Sequence, residues 1–347
     1  MFSATDHLLM ARALRLAERA RCWARPNPHV GCVIAHGDEI VGTGYTQPAG
    51  GNHAEIEALS EAGARAAGAT VYVTLEPCCH HGRTPPCVDA LLAAGVARVV
   101  VALGDPNPQV DGGGLRALTG AGVAVDRGLM EASAQAQLAG FVLRHSRGYG
   151  RVRAKLAMSV DGRTAMASGE SQWITGAAAR ADVQRLRAES CAIVTGVGTV
   201  LADDCALTVR EQELPDGLLL PAADRRALRV VLDSALRTPP GARVLGGAQP
   251  TLLVHEQAAP IPEHLRAFSR LAPGKSEQGL DLAALLTALA ARECTEILLE
   301  SGPTLAGAFL RAGLLDELLI YVAPKLLGSD ARPLFDLPLG SMSEAMN

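Results

Sequence analysis

Apolar positions along the chain recur with two periods, and the changes between them mark out the elements. The opening stretch MFSATDHLLMARALRLAERARCW has apolar residues interrupted by arginines and acids on helical spacing, which predicts an amphipathic helix. HVGCVIA and EIVGTGY read as short strands, the segment after His53 as a helix, and TVYVTLEP as an alternating β-branched strand running into a cysteine loop. VDALLAAG then predicts a helix ending in glycine, ARVVVAL a strand and GGGLRALTGAG another helix. Strands alternating with helices predict a three-layer α/β sheet, complete by about residue 145.

Around RHSRGYGRVRA this pattern gives way to basic residues and glycines. We place a domain boundary there, giving a first domain over residues 1–147 and a second over 148–347. The second is also α/β. It starts with the strand VRAKLAMSV and continues with a helix around 177–188, the strands CAIVTGV, LRVVLDS and TLLVH, a helix near 282–291, and EILLESG feeding the helix PTLAGAFLRAG. Pro/Gly-rich stretches near 214–221, 238–250 and 258–274 predict loops, and the end, LGSMSEAMN, offers no strand.

Composition narrows the function. A chain of 347 residues with net charge -4 and 3% aromatics has no broad basic footprint and few stacking platforms, so nucleic acid is not the expected partner. No run of about 18 apolar residues occurs, so no membrane span is expected and the cytoplasm is the default compartment. The eight cysteines lack the density of a disulfide scaffold, and only Cys78, Cys79 and Cys87 cluster, beside His80 and His81.

That cluster gives meaning to GNHAEIEAL at 51–59. By itself the stretch is an ordinary helix start, with acids near the positive end of the helix dipole. Together with TLEPCCHHGRTPPC at 74–87 it supplies His53, Cys78 and Cys87, three ligands of the kind a hydrolytic zinc takes while one position stays open for water. Zinc would bring the pKa of that water toward roughly 7, and Glu55 could take its proton and hand it to a leaving amine.

His53-Ala54-Glu55 and Pro77-Cys78 resemble the zinc-dependent nucleobase deaminases, although their second cysteine normally follows the first in a P-C-x-x-C pattern and Cys87 lies much further on. Cys79 is nearer but adjoins Cys78 and would need a strained approach to the same ion. The longer CHHGRTPPC, together with RPNPHVGCVI at 25–34, is similar to the deaminase half of the bifunctional riboflavin-biosynthesis deaminase-reductases. In that half the resemblance places the Asn27 loop beside the pyrimidine. For Asn27 the other reading is turn chemistry. For His80 and His81 loop positioning stands against substrate contact.

The second domain carries AKLAMSVDGRTA, SGESQWITG, TGVGTVLADDCALTVR and LESGPTLAGAF. GVGTVL lacks the third glycine of a dinucleotide fingerprint. Gly302-Pro303-Thr304, at a strand-to-helix junction, is either a phosphate cradle or a plain helix start. All four stretches resemble the reductase half of the same family, which implies a cytidine-deaminase-like α/β/α domain followed by a dihydrofolate-reductase-like α/β domain that uses NADPH. Carried over residue by residue, Ala157, Trp173, Thr199, Asp203, Ser234 and the run Gly302, Pro303, Thr304, Leu305, Ala306, Gly307 and Ala308 would line the cofactor; Ser171, Arg187, Leu207, Arg210 and Glu300 would meet substrate. Arg187 and Arg210 suit a phosphate, which a guanidinium fork matches, although Arg187 shares its helix with Arg180 and Arg185 and a solvated basic face is the other reading.

The resemblance implies Zn2+ and NADPH as cofactors, a phosphorylated pyrimidine as small-molecule substrate, and self-association through the reductase domain. It implies hydrolytic deamination of a diaminohydroxyphosphoribosylaminopyrimidine, then reduction of the ribosyl group to ribityl. The alternative is a nucleoside or tRNA deaminase with an unrelated second domain, which leaves the second set of motifs without a role. A zinc-stabilised binding module would want a closed four-ligand site and no Glu55.

Overall fold

Ser3 opens the first helix with a reciprocal cap: its hydroxyl accepts from the Asp6 N–H, and the Asp6 carboxylate accepts from the Ser3 N–H. The computed structural model describes residues 1–171, 173–214, 218, 220–276 and 279–346, so 215–217 and 219 of the loop expected near 214–221 lie outside it. Two compact units result, one over Met1–Gly148 and one over most of the chain from Tyr149 on. No helix among the described residues is long and apolar enough to cross a membrane.

In the first unit the elements run α1 (Ala4–Arg19), β1 (Gly31–His36), β2 (Glu39–Tyr45), α2 (Ala54–Ala62), β3 (Thr70–Leu75), α3 (Cys87–Ala93), β4 (Arg98–Leu103), α4 (Gly113–Gly120), β5 (Ala124–Arg127), α5 (Glu131–Gln137) and α6 (Ala139–Arg147). The sheet order is β2-β1-β3-β4-β5; β1 runs antiparallel to β2 and β3, while β3, β4 and β5 are parallel. Val33, Ile34, Val71, Val73, Val99 and Val101 are fully buried, as expected of strands covered on both faces. Helix α2 approaches β2 closely. A Cβ at Gly42 would stand 2.2 Å from the Ala58 carbonyl oxygen, and one at Gly44 2.1 Å from that of Ala54.

The second unit begins with β6 (Arg151–Ser159), β7 (Arg163–Ala165), α7 (Ala177–Glu189), β8 (Ala192–Gly196), α8 (Val197–Asp203), β9 (Leu228–Leu232), β10 (Thr251–Val254) and β11 (Ser269–Leu271). It continues with β12 (Lys275–Ser276), β13 (Gly279–Leu280), α9 (Leu282–Ala291), β14 (Glu296–Leu299), α10 (Pro303–Arg311), β15 (Glu317–Ala323) and β16 (Arg332–Pro333). Its main sheet has the order β11-β10-β9-β8-β14-β6-β15, with every pairing parallel.

Several elements go beyond the periodicity reading, and three of them show why. Helix α8 follows β8 with Gly196 serving as both strand end and N-cap, so no turn residues announce it. β11 lies in the stretch near 258–274 expected to be a loop. β15, in ELLIYVA, has no polar alternation because Leu318, Ile320 and Val322 are exposed although apolar.

Candidate functional site

His53 is the N-cap of α2, which puts Glu55 in the first helical turn and turns both toward the end of β3. Cys78 leaves that strand end, and Cys87 is the first residue of α3, behind Pro86. The ligand atoms of His53, Cys78 and Cys87 lie within 4.8 Å of one another. His53 Nδ1 stands 3.6 Å from Cys78 Sγ and 3.3 Å from Cys87 Sγ. At a helix start a backbone N–H has no intrahelical acceptor, and that of Cys87 donates to Cys78 Sγ at 3.3 Å. No cysteine among the described residues is in a disulfide.

The electrostatics suit a divalent cation. The Cys78 thiol is held well below its ordinary range by the Cys87 thiol, against burial, with help from His53. The Cys87 thiol is pushed up by the same contact with Cys78 and by burial. One thiolate therefore suppresses the next, and a soft dication within this His/Cys2 set would relieve both. Burial raises the Glu55 carboxyl, which is 4% exposed.

Sequence reasoning missed Thr84. Its Oγ1 is 3.4 Å from His53 Nε2, the ring nitrogen facing away from the two sulfurs, so it fixes the imidazole as partners of metal-ligating histidines do. It also missed Asp105, which burial pushes up to about 6. The signal for Thr84 was present, since it lies inside the Gly-Arg-Thr-Pro-Pro run between the cysteines. Cys79 points elsewhere, its Sγ 3.9 Å from the Gln109 carbonyl oxygen. His80 Nδ1 is buried with no hydrogen-bond partner among the described residues, His81 is exposed, and the Asn27 N–H closes a turn onto Ala24.

The second unit holds a cavity of about 1120 Å³ at the carboxyl ends of its parallel strands, the usual ligand position in such sheets. Ala157, Ser171, Trp173, Arg187, Thr199, Asp203, Leu207, Arg210, Ser234, Glu300, Gly302, Pro303, Thr304, Leu305 and Ala308 all line it. Ala306 and Gly307 do not: Ala306 is fully buried, and a Cβ at Gly307 would meet the Asp336 carbonyl oxygen at 2.5 Å. Helix α10 starts at Gly302 with no side-chain cap and with Pro303 in its first turn, leaving backbone N–H groups facing the cavity. Ser301 Oγ, on the same wall, is buried without a hydrogen-bond partner among the described residues. An uncapped helix start and an orphan hydroxyl fit a phosphorylated cofactor.

Arg187 is not part of a solvated face. Its Nε and Nη2 bind the Glu300 carboxylate at 2.6 and 2.9 Å and its Nη1 donates to the Thr208 carbonyl oxygen at 2.9 Å. Three of its N–H groups are engaged, and a guanidinium keeps others for a ligand. Arg210 pairs with Glu213 at 2.6 Å, at the surface. Arg180 stacks over Trp173, 4.6 Å from the ring centroid. Lys155 was missed: it lines the cavity from β6, and burial lowers its amine although Glu300 works in the opposite direction. A lysine inside the apolar strand VRAKLAMSV was its signal.

The family model for the cytidine and deoxycytidylate deaminase zinc-binding region matches residues 3–103, and that for the RibD C-terminal domain matches 151–342. The riboflavin biosynthesis protein RibD of Escherichia coli strain K12 is 53% identical over 338 residues, covering 96% of this chain and 91% of that one. The RibD of Mycobacterium tuberculosis H37Rv is 43% identical, covering 97% of this chain and 90% of its own length. Among solved structures, Acinetobacter baumannii RibD superposes with a TM-score of 0.90 at 43% identity, covering 99% of this chain and 93% of that one. A diaminohydroxyphosphoribosylaminopyrimidine deaminase/5-amino-6-(5-phosphoribosylamino)uracil reductase from Thermotoga maritima gives 0.86 at 29% identity with the same coverages. With a model matching more than half of its length and relatives this similar from end to end, the chain belongs to the RibD family of riboflavin biosynthesis proteins.

Proposed function

We propose that the chain catalyses two successive steps of riboflavin synthesis. Residues 1–147 deaminate a diaminohydroxyphosphoribosylaminopyrimidine by hydrolysis, and residues 148–347 use NADPH to reduce the ribosyl group of 5-amino-6-(5-phosphoribosylamino)uracil to ribityl. The observation that carries this reading is the convergence of His53, Cys78 and Cys87 beside the buried Glu55, in a chain whose other unit has a cavity at its strand ends.

In the first unit His53 Nδ1 and the two sulfurs would hold zinc, with Thr84 keeping the ring in place. Zinc supplies a Lewis acid that brings the ionisation of water near neutrality. Glu55 takes a proton and returns it to the amino nitrogen as ammonia leaves. Burial, which raises its carboxyl, suits it to carrying that proton.

In the second unit NADPH, when bound, would supply the hydride for the anomeric carbon of the ribose. The start of α10 and Ser301 would offer donors to its phosphates, Trp173 and Arg180 form an aromatic and cationic wall, and Thr199, Asp203 and Ser234 line the same cavity. Arg210 and the free N–H groups of Arg187 suit the substrate phosphate, while Glu300 keeps Arg187 in place.

A cytoplasmic location and self-association through the second unit belong to the same reading. The exposed Leu318, Ile320 and Val322 on β15 support the association. A nucleoside or tRNA deaminase with an unrelated second domain would leave the match over residues 151–342 without an account. The test is to give the intact, zinc-loaded chain the pyrimidine with and without NADPH and to identify the products by mass. Deamination alone without NADPH, and the ribityl product with it, are expected. Absence of ammonia release would overturn the first half, and a ribosyl product that persists in NADPH the second.

A further inference from the structure

Glu76 is the last residue before the Pro77-Cys78 pair, and it is 3% exposed. Its carboxylate takes four backbone N–H groups from the segment that runs from β4 into α4: Oε1 accepts from Gly114 at 3.0 Å and Leu115 at 3.2 Å, and Oε2 from Asp105 at 3.3 Å and Gly112 at 3.2 Å. Helix α4 has no side-chain cap of its own, so Glu76, distant in sequence, satisfies its first turn. The Glu76 N–H in turn donates to the Leu103 carbonyl oxygen at 2.9 Å, tying the corner to β4.

The contact extends along the corner. A Cβ at Gly114 would lie 2.2 Å from the Pro77 carbonyl oxygen, and one at Gly113 would lie 2.8 Å from Cys79 Sγ. Glu76, Pro77 and Cys79 are thus seated against the start of α4, while Cys78 between them turns the other way, to His53 and Cys87. We infer that Glu76 is a positioning residue for the metal: by binding the 105–115 segment with four hydrogen bonds it fixes the backbone from which Cys78 is presented. Its carboxylate bonds go to backbone N–H groups rather than to a ligand sulfur, and it acts through Cys78. This inference rests on the zinc reading of the first unit.

The prediction is that Glu76→Gln weakens zinc binding by about 10–100-fold, the range for groups that orient metal ligands, because an amide turns N–H donors toward backbone N–H groups. Gly114→Ala attacks the same corner from the α4 side, and its Cβ should weaken zinc in the same way. Leu118→Ala, a fully buried α4 residue away from the corner, is the control for lost stability alone; it should melt earlier and keep its zinc affinity.

The measurements are chelator competition for zinc and the cobalt–thiolate absorption of the cobalt-substituted intact chain, neither of which needs turnover. Weakened zinc and an altered cobalt spectrum in Glu76→Gln or Gly114→Ala, with Leu118→Ala unaffected, support the inference. If Glu76→Gln does not fold, Gly114→Ala decides. Native affinity and spectrum in the folded corner variants, or an equal loss in Leu118→Ala, overturn it. A wild-type chain that binds no zinc would instead overturn the zinc reading itself.

Discussion

Arg187 grips Glu300 with two parallel bonds, Nε–Oε1 2.6 Å and Nη2–Oε2 2.9 Å, with side chains only 13% and 11% exposed. The pair joins α7 to the end of β14 at the cavity wall. Burial would raise the Glu300 carboxyl, but the Arg187 guanidinium, with Lys155 and Arg210 behind it, holds the carboxyl below its ordinary 4.5. A lowered carboxyl contributes stability that is fully present above the unfolded value and is lost as pH falls through the folded one.

The intact chain should therefore lose this contribution on acidification below about 4.5, the ordinary value. Arg187→Met strands a buried carboxylate and should cost about 3–5 kcal/mol near neutrality, with the cost shrinking as Glu300 protonates. Denaturant melts of both proteins across that range measure it. A cost independent of pH would show that the charge pairing is not what Arg187 contributes.

One zinc per chain is expected in the first unit. Cys87→Ser should lose zinc, whereas Cys79→Ser should keep it because its sulfur lies toward Gln109 rather than His53. Metal analysis of the purified variants decides, and the reverse pattern would exchange the two cysteines in the ligand set.

Glu55→Gln should fold, hold zinc and lose deamination by about 10²–10⁴-fold, since the amide accepts no proton. Its NADPH-dependent reduction of already deaminated substrate should survive. Ammonia release at a near-normal rate would remove Glu55 from the mechanism.

NADPH should be preferred to NADH, and its binding should be visible at Trp173, which is 61% exposed on the cavity wall. The other tryptophan, Trp23, stacks on Tyr45 in the first unit, so Trp23→Phe leaves Trp173 as the only indole reporter. Titration of that variant should quench its fluorescence at lower NADPH than NADH concentrations. An equal response to both coenzymes, with equal rates, would sink the assignment.

The cluster of His53, Cys78 and Cys87 was legible because its signal is local: a histidine and a glutamate two residues apart, and two cysteines bracketing a Gly-Arg-Thr-Pro-Pro run. The bond from Thr84 to His53 and the four N–H groups on Glu76 were not legible, because they join segments 29 to 39 residues apart whose approach depends on the finished sheet. Similarly, a solvated basic face stayed open as the other reading of Arg187 because its partner, Glu300, lies 113 residues away. Fold class was readable from the succession of strands and helices. β15 escaped because apolar residues occupy its exposed positions and erase the alternation on which a strand reading depends.

The approach of α2 to β2 has a genetic consequence. The helix that begins at His53 and carries Glu55 can sit where it does because Gly42 and Gly44 present no Cβ, with backbone oxygens of Ala58 and Ala54 about 2 Å from where one would be. Any single-base missense change of a glycine codon adds at least that carbon. These two codons, which encode no ligand and no proton carrier, therefore have no conservative neighbours within one mutational step. Selection should hold them as tightly as the codon for Glu55, through the exclusion of matter rather than through chemistry.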